Sequence, residues 1–268
     1  MTPSLTPPIT GADLPRLGWH HSTDLDPAKF EPVTCVPRED VFEFFTKPMP
    51  GGLWCSPIHE IDGIVGNDWL TAHGHRRHEG KLWEVIPTPD AKIFVIDHSG
   101  DLNVALERWP DPRDSEPMGE DRPWIDAWRT DVIDWPAMAT DFDAVMVTAP
   151  ALSQLNLPNP STDVLFGLHG PHKARERHLW GWDVPTVLFL QPTFTVGPSH
   201  PADPETVRRW RTAFHAKEEA EAVRIRAQII ETAAKHGVEL DPHLLQLPPV
   251  GFLMVMARAM QMEEEHDA

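Results

Sequence analysis

The chain contains the stretch Trp19-His20-His21-Ser22-Thr23 and, further along, the stretch Gly51-Gly52-Leu53-Trp54-Cys55-Ser56-Pro57. The first belongs to a short strand predicted for 17–22, and it carries imidazole and hydroxyl side chains. The second opens with a glycine pair, which breaks the preceding structure and starts another short strand. Both strands therefore bring polar or aromatic side chains that could hold a ligand.

The composition is that of an acidic, globular protein. The 268 residues are enough to bury a sizeable core, and 41% of them are apolar while 24% are charged. The formal net charge is −18, which argues against broad binding to nucleic acid or anionic membranes because both depend on neutralising phosphates. The 11 tryptophans and the absence of tyrosine mean that aromatic stacking falls to Trp or Phe.

The chain shows no targeting or membrane signal. No run approaches the roughly 20 apolar residues that a membrane helix needs. The first fifteen residues lack the basic and apolar regions of a secretory signal. The two cysteines, Cys35 and Cys55, do not form a disulfide framework. A cytoplasmic location without membrane association is the expectation.

The pattern along the chain predicts a β-rich domain with short helices. Strands are expected where apolar residues cluster between turn residues, and helices where a capping residue precedes an apolar repeat. The predicted strands after the first are 53–56, 81–86, 92–97, 144–148 and 186–190, and the predicted helices are 37–45, 67–75, 125–128 and 135–138.

Residues 201–268 have a different character, because Ala, Glu, Arg and Ile dominate there. Asp203-Pro204-Glu205 supplies a cap, a first-turn proline and a first-turn acid for a long helix that ends near His236, just before Gly237. A second, more apolar helix is predicted for 252–262. The chain thus divides into a mixed domain at 1–200 and a helical appendage at 201–268. The appendage either packs on the domain or serves as an oligomerisation or partner arm.

The order of these motifs resembles that of ADP-ribosyltransferases. His20-His21-Ser22-Thr23 is similar to the His-Gly-Thr/Ser element of that family, and Gly52-Leu53-Trp54-Cys55-Ser56 is similar to its Gly-Ile/Leu-Tyr-Phe-Ser element. Asp141-Phe142-Asp143-Ala144-Val145 resembles a strand edge of bacterial and bacteriophage members. Trp182-Asp183-Val184 leads into a segment that resembles the strand carrying the catalytic glutamate. The resemblance runs from about residue 16 to about residue 195 and leaves out the C-terminal helices.

The resemblance implies an α+β fold in which two small twisted sheets form a split β-sandwich. It also implies that NAD binds between the strands of His21 and Trp54. His21 would bind the ribose, Trp54 would stack on the nicotinamide, and Asp183 would replace the glutamate. The implied activity transfers ADP-ribose to a protein or nucleic-acid acceptor, or hydrolyses NAD. The other implied NAD-binding residues are Ser22, Thr23, Gly52, Leu53 and Ser56.

The sequence departs from the family pattern at two positions. Ser22 follows the histidine where the family has glycine, and Pro185 or Thr186 stands where the family has glutamate. Family members without the glutamate are restricted to mono-transfer or are inactive. The alternative is therefore a catalytically inactive interaction or virion-associated protein that uses the same scaffold, its acidic surface and its C-terminal helices. A phage-encoded protein of this kind would act in the host cytoplasm.

Two histidine clusters and one cysteine are further candidates for metal binding or nucleophilic chemistry. His73, His75 and His78 lie close in sequence, but Arg76 and Arg77 between them repel a cation, and zinc needs three or four converging ligands. No metal site is predicted there or in the second cluster, which comprises His169, His172 and His178. Cys55 is expected to be a buried packing thiol, because a nucleophile needs an activating base.

Overall fold

A computed structural model describes residues 6–21, 24–35, 51–73, 80–112, 132–155, 182–249, 251–253 and 255–256. The chain divides into two compact units. The first unit holds residues 1–60 and 65–207, and the second holds residues 61–64 and 208–268.

The strands of the described residues belong to one curled, mixed sheet with the order β1-β6-β7-β8-β3-β2-β5-β9, and β4 pairs with β3. Strands β6 and β7 are parallel, and the other neighbours for which a register is defined are antiparallel. The strands are β1 Ile9–Thr10, β2 Leu17–His21, β3 Leu53–Ile61, β4 Ile64–Asn67, β5 Lys81–Pro87, β6 Lys92–Ile96, β7 Ala144–Val147, β8 Thr186–Phe189 and β9 Phe194–Pro201. The α-helices are α1 Asp68–His73, α2 Ser99–Arg108, α3 Trp135–Met138, α4 Ala149–Leu155 and α5 Pro204–Lys235.

Strand β3 is shared between two neighbours, and this sharing opens a fork in the sheet. Its first residues, Leu53–Cys55, pair with β8, whereas its next two residues pair with β2. The β2–β3 register comprises Leu17 opposite Pro57 and Gly18 opposite Ser56. All five residues of β2 pair with β5 on its other edge, whereas only Leu17 and Gly18 pair with β3. The strands β2 and β3 therefore separate just beyond Gly18.

Two hydrophobic clusters cover the two faces of the sheet. Leu188 of β8 enters a cluster with Trp135 and Trp182, and the next residue, Phe189, enters a cluster with Leu17 and Cys55. Successive residues of a strand point to opposite faces, so these clusters lie on opposite sides. Burial on both faces explains why β6, β7 and β8 are continuous apolar runs in the sequence.

Most predicted elements of the first unit are confirmed within a residue or two. Strand β3 is longer than predicted and continues to Ile61, where Asp62 and Gly63, both with positive φ, turn the chain into β4. The structure also contains β9, which the sequence does not predict because Gly197, Pro198 and Pro201 interrupt the pattern. Such residues are tolerated at the edge of a sheet, where β9 lies. The predicted helices at 37–45 and 125–128 lie outside the described residues.

Helix α5 is confirmed at both ends. The Asp203 carboxylate accepts hydrogen bonds from the backbone N–H groups of Glu205 and Thr206, each at 3.0 Å. Gly237, with φ of 69°, follows the last turn. Residues 251–253 and 255–256 are helical, and the rest of the predicted second helix lies outside the described residues. Within the described part of the chain, no helix combines the length and apolar character needed to cross a membrane.

Candidate functional site

A cavity of about 400 Å³ lies in the first unit at the fork between β2 and β3. Strand β2 contributes residues 18–21 and strand β3 contributes residues 54–56. The remaining described walls come from α1 with its capping residue and from the segment that leads into β8. These walls comprise Asn67, Trp69, His73, Trp182, Asp183, Val184 and Thr186.

Asn67 holds the base of the fork together. Its side chain is 1% exposed, and its Nδ2 donates to the Gly18 carbonyl at 3.1 Å and to Ser56 Oγ at 3.5 Å. Its Oδ1 accepts from the backbone N–H of Leu70 at 3.0 Å, which makes Asn67 the N-cap of α1, as the sequence predicts. One side chain thus joins β2, β3 and α1.

The two histidines of β2 approach the cavity from opposite faces of the strand. His21 stacks on Trp19, with ring centroids 4.8 Å apart and an angle of 3° between the planes. His20 stacks on Trp69 of α1 at 5.3 Å and 20°. Trp69 in turn contacts His73, one helical turn later, at 5.5 Å. Both histidines line the cavity, but each belongs to a different aromatic stack.

Trp54 is half-buried and lies against the fully buried Trp182, with ring centroids 4.7 Å apart at 61°. Gly18 lies opposite Ser56, and side chains alternate between the two faces along each strand, so His20 and Trp54 lie on the face that Gly18 and Ser56 share. Paired positions share a face of the sheet. His20 therefore lies on the same face of the sheet as Trp54. His21 lines the same cavity from the opposite face of the sheet, so the expectation that His21 and Trp54 face one shared groove stays a prediction.

Asp183 brings the single carboxylate found among the described lining residues. Its Oδ2 lies 3.2 Å from Nε2 of His73, and the Asp183 side chain remains 60% exposed. Thr186, where the family resemblance expects glutamate, is buried at the start of β8, and its hydroxyl donates to the Val184 carbonyl at 2.6 Å. A carboxylate at the cavity therefore comes from Asp183.

The other predicted NAD-binding residues have different surroundings. Ser56 is 4% exposed and lines the cavity. Leu53 packs in the core beside Cys55, and Gly52 donates its N–H to the Glu31 carbonyl at 2.8 Å, so neither residue is part of the described lining. Ser22 and Thr23 lie outside the described residues.

Cys55 is a packing thiol, as the sequence predicts. It is buried in the core, and that burial raises the pKa of its thiol well above the usual value. A thiol with so high a pKa is not a nucleophile at neutral pH. In the part of the chain that the structure describes, no group of three or more His, Cys, Asp or Glu side chains could hold a metal ion. The clustered histidines other than His73 lie outside that part.

Five side chains of the cavity have no site role predicted from the sequence: Trp19, His20, Trp69, His73 and Trp182. A signal was present for two of them, because Trp69 and His73 are spaced four residues apart on a helix and so share one face. The place of His20 depends on the register between two strands, and the place of Trp182 depends on a packing contact. Neither can be inferred from a local sequence pattern.

Comparison of the chain with protein-family models, with curated proteins and with solved structures finds no match. The fold class is α+β, with a curled sheet and a long helix. The cavity in the fork is its candidate ligand site, and any function assigned to it depends on the geometry described above.

Proposed function

We propose that this protein binds NAD in the cavity and is an ADP-ribosyltransferase-like protein. In this proposal it transfers ADP-ribose to a macromolecular acceptor or hydrolyses NAD. The observation that supports the proposal is the fork itself. Two neighbouring strands separate around a cavity into which one contributes histidines and the other contributes Trp54.

The size and lining of the cavity suit the nicotinamide end of NAD. Small-molecule sites in proteins span about 300–1,000 Å³ and combine aromatic walls with a few polar groups. The described lining combines indole rings with the Ser56 hydroxyl and the Asp183 carboxylate. The family resemblance places nicotinamide against Trp54, and an indole face is a suitable surface for a flat ring.

The proposed chemistry breaks the bond between ribose C1′ and the nicotinamide nitrogen. The electron pair of that bond leaves with nicotinamide, and an acceptor hydroxyl, amine or water bonds to C1′ and releases a proton. We assign to Asp183 the stabilisation of the positive charge that develops on the ribose, because a fixed carboxylate is most effective where cationic charge forms. A histidine of β2, with His21 as the first candidate, hydrogen-bonds the ribose hydroxyls.

Calorimetric titration with NAD tests the proposal. We expect the wild-type protein to bind NAD and both His21→Ala and Trp54→Ala to weaken binding at least about tenfold, which corresponds to roughly 1.4 kcal/mol. The matched control is His215→Ala, since His215 is exposed on α5 in the second unit and should leave affinity unchanged. Absence of NAD binding, or unchanged affinity in both cavity variants, would contradict the proposal.

The inactive interaction protein remains the second candidate, because Thr186 occupies the position of the family glutamate and Asp183 is paired with His73. Release of nicotinamide from NAD separates the two functions. Turnover that is lost in Asp183→Asn supports the enzyme. NAD binding without nicotinamide release, together with a concentration-dependent oligomer, supports the interaction protein.

A further inference from the structure

We propose that the cavity recognises the positive charge of a flat organic cation, and that it binds an N-alkylpyridinium ring with no nucleotide attached. The inference rests on the proposed function, because it concerns the same cavity. It goes further by naming charge on the ring as the feature that the site selects.

The first argument is the number of indole faces. Four of the 11 tryptophans line the cavity, and Trp19, Trp54 and Trp69 among them are only partly buried. They come from β2, β3 and α1. His21 stacks on one face of Trp19, and His20 stacks on one face of Trp69. The face of an indole carries negative electrostatic potential and attracts cations more strongly than any other aromatic side chain.

The second argument is the balance of charge. Asp183 is largely exposed, and no Lys or Arg occurs among the lining residues that the structure describes. Among the lining residues that the structure describes, the titratable groups are Asp183, His20, His21, His73 and the buried Cys55. The net charge of −18 adds a long-range field that favours cations. A neutral ring of the same shape gains the stacking contacts but neither of these electrostatic contributions.

The experiment compares 1-methylnicotinamide, a pyridinium cation, with nicotinamide, its neutral counterpart of nearly the same shape. Binding to the full-length protein is measured by calorimetry and by quenching of tryptophan fluorescence at neutral pH. We expect the cation to bind about tenfold more tightly than the neutral ring, within the range of a desolvated cation–π contact. Asp183→Asn should reduce this preference to less than about threefold, because it removes the lining carboxylate.

Control variants test whether the preference for the cation arises in the cavity. Asp90→Asn removes an exposed carboxylate outside the described lining and should keep the full preference. Trp54→Leu and Trp69→Leu should each weaken binding of the cation, and circular dichroism verifies that each variant is folded. Equal affinity for the two rings, an unchanged preference in Asp183→Asn, or unchanged cation binding in both tryptophan variants would overturn the inference.

This experiment distinguishes failure of the proposed NAD binding from failure of the proposed cation selectivity. A protein that binds 1-methylnicotinamide selectively but not NAD contradicts the proposed function and supports the cation site. A protein that binds NAD but does not distinguish 1-methylnicotinamide from nicotinamide supports the proposed function and overturns the cation site.

Discussion

At the scale of single residues, the cavity depends on Asn67 more than on any residue that would touch a ligand. Its amide is buried and bonds to two strands and one helix. Both its donor and its acceptor are therefore used for architecture. The neighbouring α1 side chains Trp69 and His73 owe their positions to this cap, because it sets where the helix begins.

Replacing Asn67 with alanine should lower the free energy of unfolding by about 1–3 kcal/mol, because the Gly18 carbonyl loses its buried donor and α1 loses its cap. Asn67→Asp keeps an acceptor for the Leu70 N–H, but it removes the donor and buries a carboxylate against the Gly18 carbonyl, so at neutral pH its loss should be at least as large as that of alanine. Urea denaturation measures both. Asn103→Ala, at a half-buried position on α2, is the matched control, and equal stability of all three variants would contradict the role assigned to Asn67.

The sequence could predict which residues belong to the candidate site. His21, Trp54, Ser56 and Asp183, which the family resemblance groups by motif order, all line one cavity. What local sequence could not predict is which histidine shares a face with Trp54, because that depends on the register of β2 against β3. That register is defined by residues far apart in the chain.

At the scale of elements, the strands with two buried faces were the most predictable, because their continuous apolar runs leave no competing assignment. Helix α2 was missed, since Ser99 and Gly100 at its start read as loop residues. Residues 88–91 turn the chain between β5 and β6, where the Ala91 N–H donates to the Thr88 carbonyl, but the two strands do not pair and lie at separate places in the sheet. Turn chemistry identifies where a strand ends, whereas strand partners are set by the packing of the whole sheet.

Asp101, in the first turn of α2, should make stability depend on pH. Burial raises the pKa of its carboxyl, but hydrogen bonds from the backbone of Thr6 and Asp97 and from the Thr6 hydroxyl outweigh that effect, so the pKa lies below its usual value. A lowered pKa in the folded state stabilises the protein above the unfolded-state pKa. This contribution disappears as the pH falls through the folded-state pKa.

Asp101→Asn should therefore cost about 1–3 kcal/mol at neutral pH, and its difference from the wild type should shrink as the solution is acidified. Urea denaturation from about pH 7 to about pH 3 measures this difference across the titration. Asp90→Asn, exposed in the turn before β6, should follow the wild type throughout. A stability gap between Asp101→Asn and the wild type that stays constant in acid would contradict the assignment.

At the scale of the whole molecule, the dominant feature is a net charge of −18. Self-repulsion of this size destabilises a compact state, and salt screens it. The same charge disfavours polyanions and favours cationic ligands, which agrees with the chemistry proposed for the cavity. Mutual repulsion between copies also opposes association at low salt.

Raising the NaCl concentration from about 0.02 M to about 0.5 M should raise the melting temperature, because the Debye length shortens several-fold. A shift of about 2–4 °C would correspond to roughly 1 kcal/mol of relieved repulsion in a domain of about 150–250 residues. Differential scanning calorimetry measures the shift, and KCl serves as the matched salt. A melting temperature that falls or stays constant in both salts would show that self-repulsion does not limit stability.

The two adjacent histidines of β2, His20 and His21, affect how the site would respond to a shift in strand register. A register shift of one residue moves every side chain of a strand to the other face of the sheet. In most strands this shift would remove a functional side chain from its pocket. Here His20 and His21 are adjacent, so a slip in one direction would bring His21 to the place beside Trp69 and Ser22 to the place that His21 holds. A slip in that direction would keep an imidazole beside Trp69, whereas a slip in the opposite direction would put Trp19 there in place of His20.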